Sequence, residues 1–257
     1  MSLKNKIHKL KILKSKLKHN KVSIGTFMQL NSPEVAEILS SSNYEWIALD
    51  MEHGSIQFED LNNLLRSIEL YSKVALVRIA NGDAVTCKKV LDSGAQGVIV
   101  PLVESSDQLK KIISYCKYPP LGIRGVAFTR SNIFGKKFNE NFNVLSKLSI
   151  VFAMIESEKA LNNLDDILKT KYLDGIFIGP YDLSASLGCP GQFKNKKFIN
   201  SLKKIKNKSI ENKIPFGIHV VENDKKDLFK KIKEGYSFIA YSMDTNILTT
   251  FAKVPKF

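Results

Sequence analysis

The sequence has little arginine, little cysteine and no long apolar run, and each shortage excludes something. Of its 39 basic side chains only Arg66, Arg78, Arg124 and Arg130 are arginine, leaving 35 lysines against 25 acidic residues and a net charge of +14. Readers of nucleic acid favour the bidentate guanidinium. Lysine spread this evenly reads as a solvated surface, with no specific nucleic-acid partner and at most weak, salt-sensitive DNA binding. Cys87, Cys116 and Cys189 form no CxxC pair, and an odd number fits no disulfide framework. Reduced thiols in a cytoplasmic protein are expected. No apolar stretch is long enough to span a membrane. Dinucleotide fingerprints, Walker A loops and GxSxG elbows are absent. No lysine falls inside a predicted strand, which argues against a Schiff-base mechanism, because that chemistry uses a lysine in a dry interior.

What is present is ordinary globular composition, 257 residues of which 44% are hydrophobic. Residues 1–21 are Lys-rich, with Leu3, Ile7, Leu10, Leu13 and Leu17 at helical spacing. A helix closing one end of the domain is expected there, rather than a basic helix on a membrane surface. From residue 22 to 257 one pattern recurs: a short apolar run, a polar turn, an amphipathic stretch. Strands are predicted at 22–28, 45–50, 74–79, 97–101, 150–156, 174–178, 216–220 and 237–241. Helices are predicted at 33–41, 58–71, 83–92, 105–116, 158–170, 195–212, 223–234 and 244–252. Alternation implies a parallel sheet, and runs apolar throughout imply strands buried on both faces. Eight units in this length fit a single-domain α/β fold, the (β/α)8 TIM barrel. Residues 117–149 are too long for a plain connection and predict an excursion between the fourth helix and the fifth strand.

A barrel's active site lies where its strands end. Those ends carry Phe27, the segment Asp50-Met51-Glu52-His53-Gly54, Arg78, Pro101, Glu156, Gly179-Pro180-Tyr181-Asp182 and His219. Carboxylates, an imidazole and a guanidinium converge on one rim. Glu156 and Asp182, on neighbouring strand ends, would repel unless a cation lay between them. So few protein oxygens suit Mg²⁺ or Mn²⁺ with open positions. A general acid–base pair or a helix cap by Asp182 would also explain them. Arg78 matches a carboxylate or 2-oxo acid bidentately, or else pairs with Asp50 or Glu52. His53 suits a general base. His219 suits a substrate contact or a polar residue satisfied inside the barrel mouth.

These segments resemble the HpcH/HpaI aldolases. Asp50-Met51-Glu52-His53-Gly54 matches the family's D-x-E-H, Leu76-Val77-Arg78 its V-R strand end, and Leu91-Asp92-Ser93-Gly94-Ala95 with Val98-Ile99-Val100-Pro101 its L-D-x-G-A…P. Tyr118-Pro119-Pro120-Leu121-Gly122-Ile123-Arg124-Gly125 matches Y-P-P-x-G-x-R-G, Ile155-Glu156 matches I-E, and Ile178-Gly179-Pro180-Tyr181-Asp182-Leu183-Ser184 matches I-G-P-x-D-L-S. The resemblance implies a class II aldolase that reversibly cleaves a 4-hydroxy-2-oxo acid into pyruvate and an aldehyde. It implies a divalent ion (Mg²⁺, Mn²⁺ or Co²⁺) on Glu156 and Asp182. Pyruvate would meet the backbone from Gly179 through Tyr181 to Asp182, with Arg78 on its keto oxygen and His53 relaying the proton. It further implies an Asp, here Asp92, that raises the basicity of the histidine, and a homo-oligomer, commonly a hexamer. Asp92 ends a helix that precedes a strand, so a dyad with His53 would cross a subunit boundary; a helix-terminal role is the alternative. Phe27, Met154 and His219 stand where some members carry Trp, Gln and Leu, which leaves the aldehyde pocket open. Arg124 and Arg130 could meet an aldehyde tail or tie down the excursion. A citrate-lyase-β-like or citramalyl-CoA-type lyase and an inactive barrel serving as a binding protein are the rival readings.

Overall fold

The computed structural model describes residues 1–254, so the last three residues of the predicted 22–257 barrel segment lie outside the described residues. Helix α1 (Leu3–Lys18) comes first, with the Ser2 hydroxyl accepting the Asn5 N–H at its start. The barrel follows: β1 (Ser23–Met28), α2 (Pro33–Ser41), β2 (Trp46–Asp50), α3 (Leu61–Leu70), β3 (Val74–Arg78), α4 (Ala84–Asp92), β4 (Gly97–Val100) and α5 (Ser106–Cys116). The excursion holds a 3₁₀ turn (Arg130–Asn132) and a helical run made of α6 (Phe138–Glu140), a π-wound turn (Asn141–Leu145) and α7 (Ser146–Leu148). Then come β5 (Ile150–Ile155), α8 (Glu158–Asn162), α9 (Leu164–Leu168), β6 (Gly175–Ile178), α10 (Pro180–Ser186), α11 (Lys196–Glu211), β7 (Phe216–Val220), α12 (Lys225–Lys233), β8 (Phe238–Met243) and α13 (Asp244–Phe251).

The eight strands pair in parallel and in sequence order, and β8 returns to β1 to close the barrel. Three details differ from the expectations. The helix predicted over 158–170 is broken at Asn163, whose helix-ending backbone separates α8 from α9. The helix predicted over 58–71 begins only at Leu61, because Asp60 turns back to take the Gln57 N–H. The short α10, too brief to show a helical period, directly follows β6.

Alternation along the strands sorts the core into two layers. Phe152 and Met154 of β5 face the barrel axis, while Val151, Ala153 and Ile155 face the helices. The barrel floor is aromatic: Phe238 stacks on Trp46 at 4.1 Å and on Phe152 at 4.2 Å. Gly25 is required there, since a Cβ would lie 2.0 Å from the Trp46 ring. Beneath the floor, α1 presses Leu3, Leu10, Leu13 and Leu17 against the strand starts. The helix expected from leucine spacing is therefore a plug for the end remote from the strand C-termini.

The excursion packs at this same end. Lys117 donates to the Ser149 carbonyl at 2.6 Å and to its hydroxyl at 2.8 Å. Arg124 lies over the Tyr118 ring and pairs with Asp92 at 2.5 Å. Arg130 bonds Glu69 and the Ser93 carbonyl. Both arginines thus fasten the excursion, far from their own barrel's rim, and the idea that they meet an aldehyde tail does not hold within the chain.

Candidate active site

Strand ends on the opposite face surround a cavity of about 290 Å³, lined by residues that include Phe27, His53, Arg78, Met154, Gly179, Tyr181, Asp182 and His219. A second cavity, about 340 Å³, lies at the plugged end between α1 and the starts of β2 and β3. It gathers none of the rim residues, so the first is the candidate site.

Asp50 organises the rim. It ends β2, is fully buried, and accepts from Arg78 through both Nε (2.9 Å) and Nη2 (2.5 Å). Its oxygens also take the Gln29 amide and the backbone N–H groups of Glu52 and His53. One carboxylate therefore fixes the guanidinium and the turn that carries His53. Its donors hold it ionised, below the usual carboxylate range despite its burial, while its charge raises Arg78 further. The Arg78 carbon sits 4.8 Å from the Phe27 ring centre, a cation–π seat that sets the fork's second face. Glu52 lies 3.5 Å from Arg78 Nη1 and 3.7 Å from His53 Nε2, between the two groups. The alternative expected for Arg78, a pairing with Asp50 or Glu52 inside the rim, is what the structure shows; the part of Gln29 and the hold of Asp50 on the His53 turn were not foreseen. The signal lay in the same D-x-E-H segment: a carboxylate closing an otherwise apolar strand must be satisfied by something.

Glu156 follows β5 and is buried. Its Oε1 accepts the Leu102 N–H at 2.6 Å. Gly179 leaves room for Oε2, since a Cβ there would meet it at 2.4 Å. Burial pushes the carboxyl up to about 7, and the charges of Glu52 and Asp182 add to the rise. Asp182 is exposed, in the first turn of α10. It does not cap that helix, because Gly179 holds the N-cap position. The first backbone acceptor of the turn, Gly179 O, is taken by Leu183, so the N–H groups of Tyr181 and Asp182 have no acceptor inside the helix.

The residues fit a divalent cation. Glu52, Glu156 and Asp182 feel one another's charge, and Arg78, already spent on Asp50, is the cation that offsets them. Among the described residues no three His, Cys, Asp or Glu side chains form a ready-made ligand set. Two carboxylates would hold an ion with open positions, as expected for Mg²⁺-type chemistry.

His219 points inward from β7, and Phe27 lies against it at 5.1 Å between ring centres. Asp92 is not at this site. It ends α4 at the plugged end, paired with Arg124. No cross-barrel route brings it to His53, because a helix C-terminus and the rim are at opposite ends of a β/α unit.

Comparison with known proteins agrees with the geometry. A 2-keto-3-deoxy-L-rhamnonate aldolase of Escherichia coli O157:H7 is 37% identical over 179 residues, covering 69% of this chain and 67% of that protein. The crystal structure of an HpcH/HpaI aldolase/citrate lyase family protein from Burkholderia cenocepacia superposes with a TM-score of 0.89 at 26% identity, covering 94% of this chain and 96% of that one. That of an HpcH/HpaI aldolase from Desulfitobacterium hafniense gives 0.85 at 27% identity, covering 95% and 98%. Residues 23–250 match the HpcH/HpaI aldolase/citrate lyase family, and the chain belongs to it.

Proposed function

We propose that the chain is a divalent-metal-dependent aldolase that reversibly cleaves a 4-hydroxy-2-oxo acid into pyruvate and an aldehyde. One observation carries the reading. A locked guanidinium, an imidazole and the Asp182 carboxylate line one cavity at the strand C-termini, and the buried Glu156 carboxyl lies against Gly179 of that lining. Glu156 and Asp182 would hold the ion, which when bound would supply Lewis-acid stabilisation of the enolate oxygen. Arg78 presents its remaining N–H groups to the oxygen on which charge develops, without reorganising, because Asp50 already holds it. His53 takes the proton from the C4 hydroxyl as the C3–C4 bond breaks. The N–H groups of Tyr181 and Asp182 face the pyruvate carboxylate, and Phe27 and His219 line the aldehyde side.

A dyad between His53 and Asp92 requires a second copy of the chain, with Asp92 shared between Arg124 and the neighbour's histidine. A homo-oligomer, such as a hexamer, would provide it. The test of the reaction is deuterium exchange into the pyruvate methyl group, followed by proton NMR with Mg²⁺, Mn²⁺ or Co²⁺ and then with chelator. Metal-dependent exchange is expected. Exchange that survives chelation overturns the metal assignment. The first cleavage substrate to try is 2-keto-3-deoxy-L-rhamnonate.

A further inference from the structure

Leu102 follows β4 with φ +50, the left-handed region that strains a bulky side chain. Its side chain does not explain the conformation, since it stands 55% exposed between the buried Pro101 and Val103. Its backbone groups do. The N–H donates to Glu156 Oε1 at 2.6 Å, and among the described residues no other donor reaches that carboxyl. The Leu102 carbonyl accepts Gln108 Nε2 at 3.0 Å. A strained backbone persists only where its surroundings hold it.

Gln108 stands in the first turn of α5 and uses both ends of its amide. While Nε2 holds the Leu102 carbonyl, Oε1 accepts the Glu104 N–H at 2.8 Å. Glutamate could only accept here, and lysine could only donate. Helix capping is a separate contact: the Ser105 hydroxyl accepts the Gln108 backbone N–H at 3.2 Å. The Gln108 side chain reaches past that cap, bridging residues 102 and 104. Other bonds tie Glu104 to the chain beyond β5. Its carboxylate accepts the Ser157 hydroxyl at 3.0 Å and lies 2.9 Å from Lys159 Nζ, and its carbonyl takes the Asn163 amide at 2.8 Å. These fix residue 104, and Gln108 is the side chain that holds residue 102.

Resting on the reading of Glu156 as a ligand of the divalent ion, we infer that Gln108 is a positioning residue for that ion. It clamps Leu102 in its left-handed turn, so that the Leu102 N–H holds Glu156 Oε1 and leaves Oε2 to the cation. Gln108 itself is exposed and is not part of the cavity lining. Without the clamp the Leu102 peptide relaxes toward negative φ, its N–H leaves the carboxylate, and Glu156 loses the bond that orients it.

The probe is Mn²⁺ alone, titrated calorimetrically into metal-free wild type and variants. Gln108→Met keeps the length of the side chain and removes both amide hydrogen bonds. It should bind Mn²⁺ about tenfold more weakly, the lower end of what outer partners of a metal ligand contribute. Ser105→Ala uncaps α5 without touching Leu102, so it should lose stability in urea unfolding and keep wild-type Mn²⁺ affinity. Hydrogen exchange of the Leu102 amide in metal-free protein gives a readout that needs no ion. It should quicken in Gln108→Met and stay unchanged in Ser105→Ala. Gln108→Glu keeps the acceptor for Glu104 and loses the donor to Leu102, so it should show the same quickening. Wild-type Mn²⁺ affinity in Gln108→Met, or unchanged Leu102 exchange in either Gln108 variant, overturns the clamp. An equal loss of affinity in Ser105→Ala also overturns it, by reducing Gln108 to a helix cap. Absence of Mn²⁺ binding in the wild type overturns the metal reading of Glu156 itself, and this inference with it.

Discussion

Asp50→Asn removes one charge and almost no volume, at a position that touches neither proposed metal ligand. Asp50 is fully buried and accepts from five donors, two of them on Arg78. The asparagine keeps one oxygen and replaces the other with a donor that faces the guanidinium. Breaking a buried pair this way costs about 3–5 kcal/mol, because the remaining charge is left uncompensated. Glu52, 3.5 Å from Nη1, takes up part of that charge. The loss should therefore sit near 3 kcal/mol, on the order of 10 °C in Tm for a chain of this size. The chemical consequence is larger. Arg78 loses the anchor on its Nε edge and the His53 turn loses a backbone acceptor, so kcat should fall about a hundredfold or more. Binding of Mg²⁺ should change little, since Glu156 and Asp182 are untouched. Calorimetric metal titration beside the pyruvate exchange assay separates these outcomes. A folded variant with wild-type turnover would refute the claim that Asp50 organises the rim.

Asp182→Ala should abolish metal-dependent exchange and weaken Mg²⁺ binding by calorimetry; unchanged affinity would remove Asp182 from the ligand set. Arg78→Lys keeps the charge but loses both the fork and the bidentate grip of Asp50. Its kcat should fall about a hundredfold or more, and near-normal turnover would refute a geometric role for the guanidinium. Leu10→Ala, under the barrel floor at 0% exposure, should lower stability by about 2–5 kcal/mol in urea unfolding. A neutral result would mean that α1 is not part of the folded core.

The barrel was legible because its strands are buried on both faces: eight apolar runs, each followed by a helical period, leave few alternatives. The rim was legible as residue types at strand ends. What escaped were relations between residues. Asp50 could be read as a partner for Arg78, but its grip on Gln29 and on the Glu52 and His53 backbone could not. The break at Asn163 and the seven-residue α10 escaped because neither segment has a period long enough to read. Asp92, Arg124 and Arg130 were visible as charges, but which end of the barrel they serve depends on the path of the excursion. That path is fixed by Lys117, Tyr118 and the stacked Phe142, which pack it beside α1.

Two titratable groups of the site, Glu156 and His219, oppose each other in a way that stability measurements can resolve. Glu156 is raised from 4.5 to about 7. In metal-free protein the native state therefore holds a proton between these values that the unfolded state has released, and stability falls as pH rises through that window. His219 is lowered from 6.5 to about 4. Between those values the unfolded state holds the proton, so stability rises with pH. Each shift corresponds to about 3 kcal/mol, and the windows overlap between pH 4.5 and 6.5. The wild type in chelator should thus show a nearly flat profile there, and flatness alone would be uninformative. Glu156→Gln deletes the falling contribution and should expose a rise of about 3 kcal/mol from pH 4 to 6.5 in urea unfolding. His219→Leu deletes the rising one and should leave a fall from pH 4.5 to 7. Saturating Mg²⁺ should suppress that fall, because a cation on Glu156 replaces the proton whose loss destabilises the native state. Profiles of the two variants that coincide with each other would refute the opposed burial of these groups, and with it the account of why Glu156 is left in need of a cation.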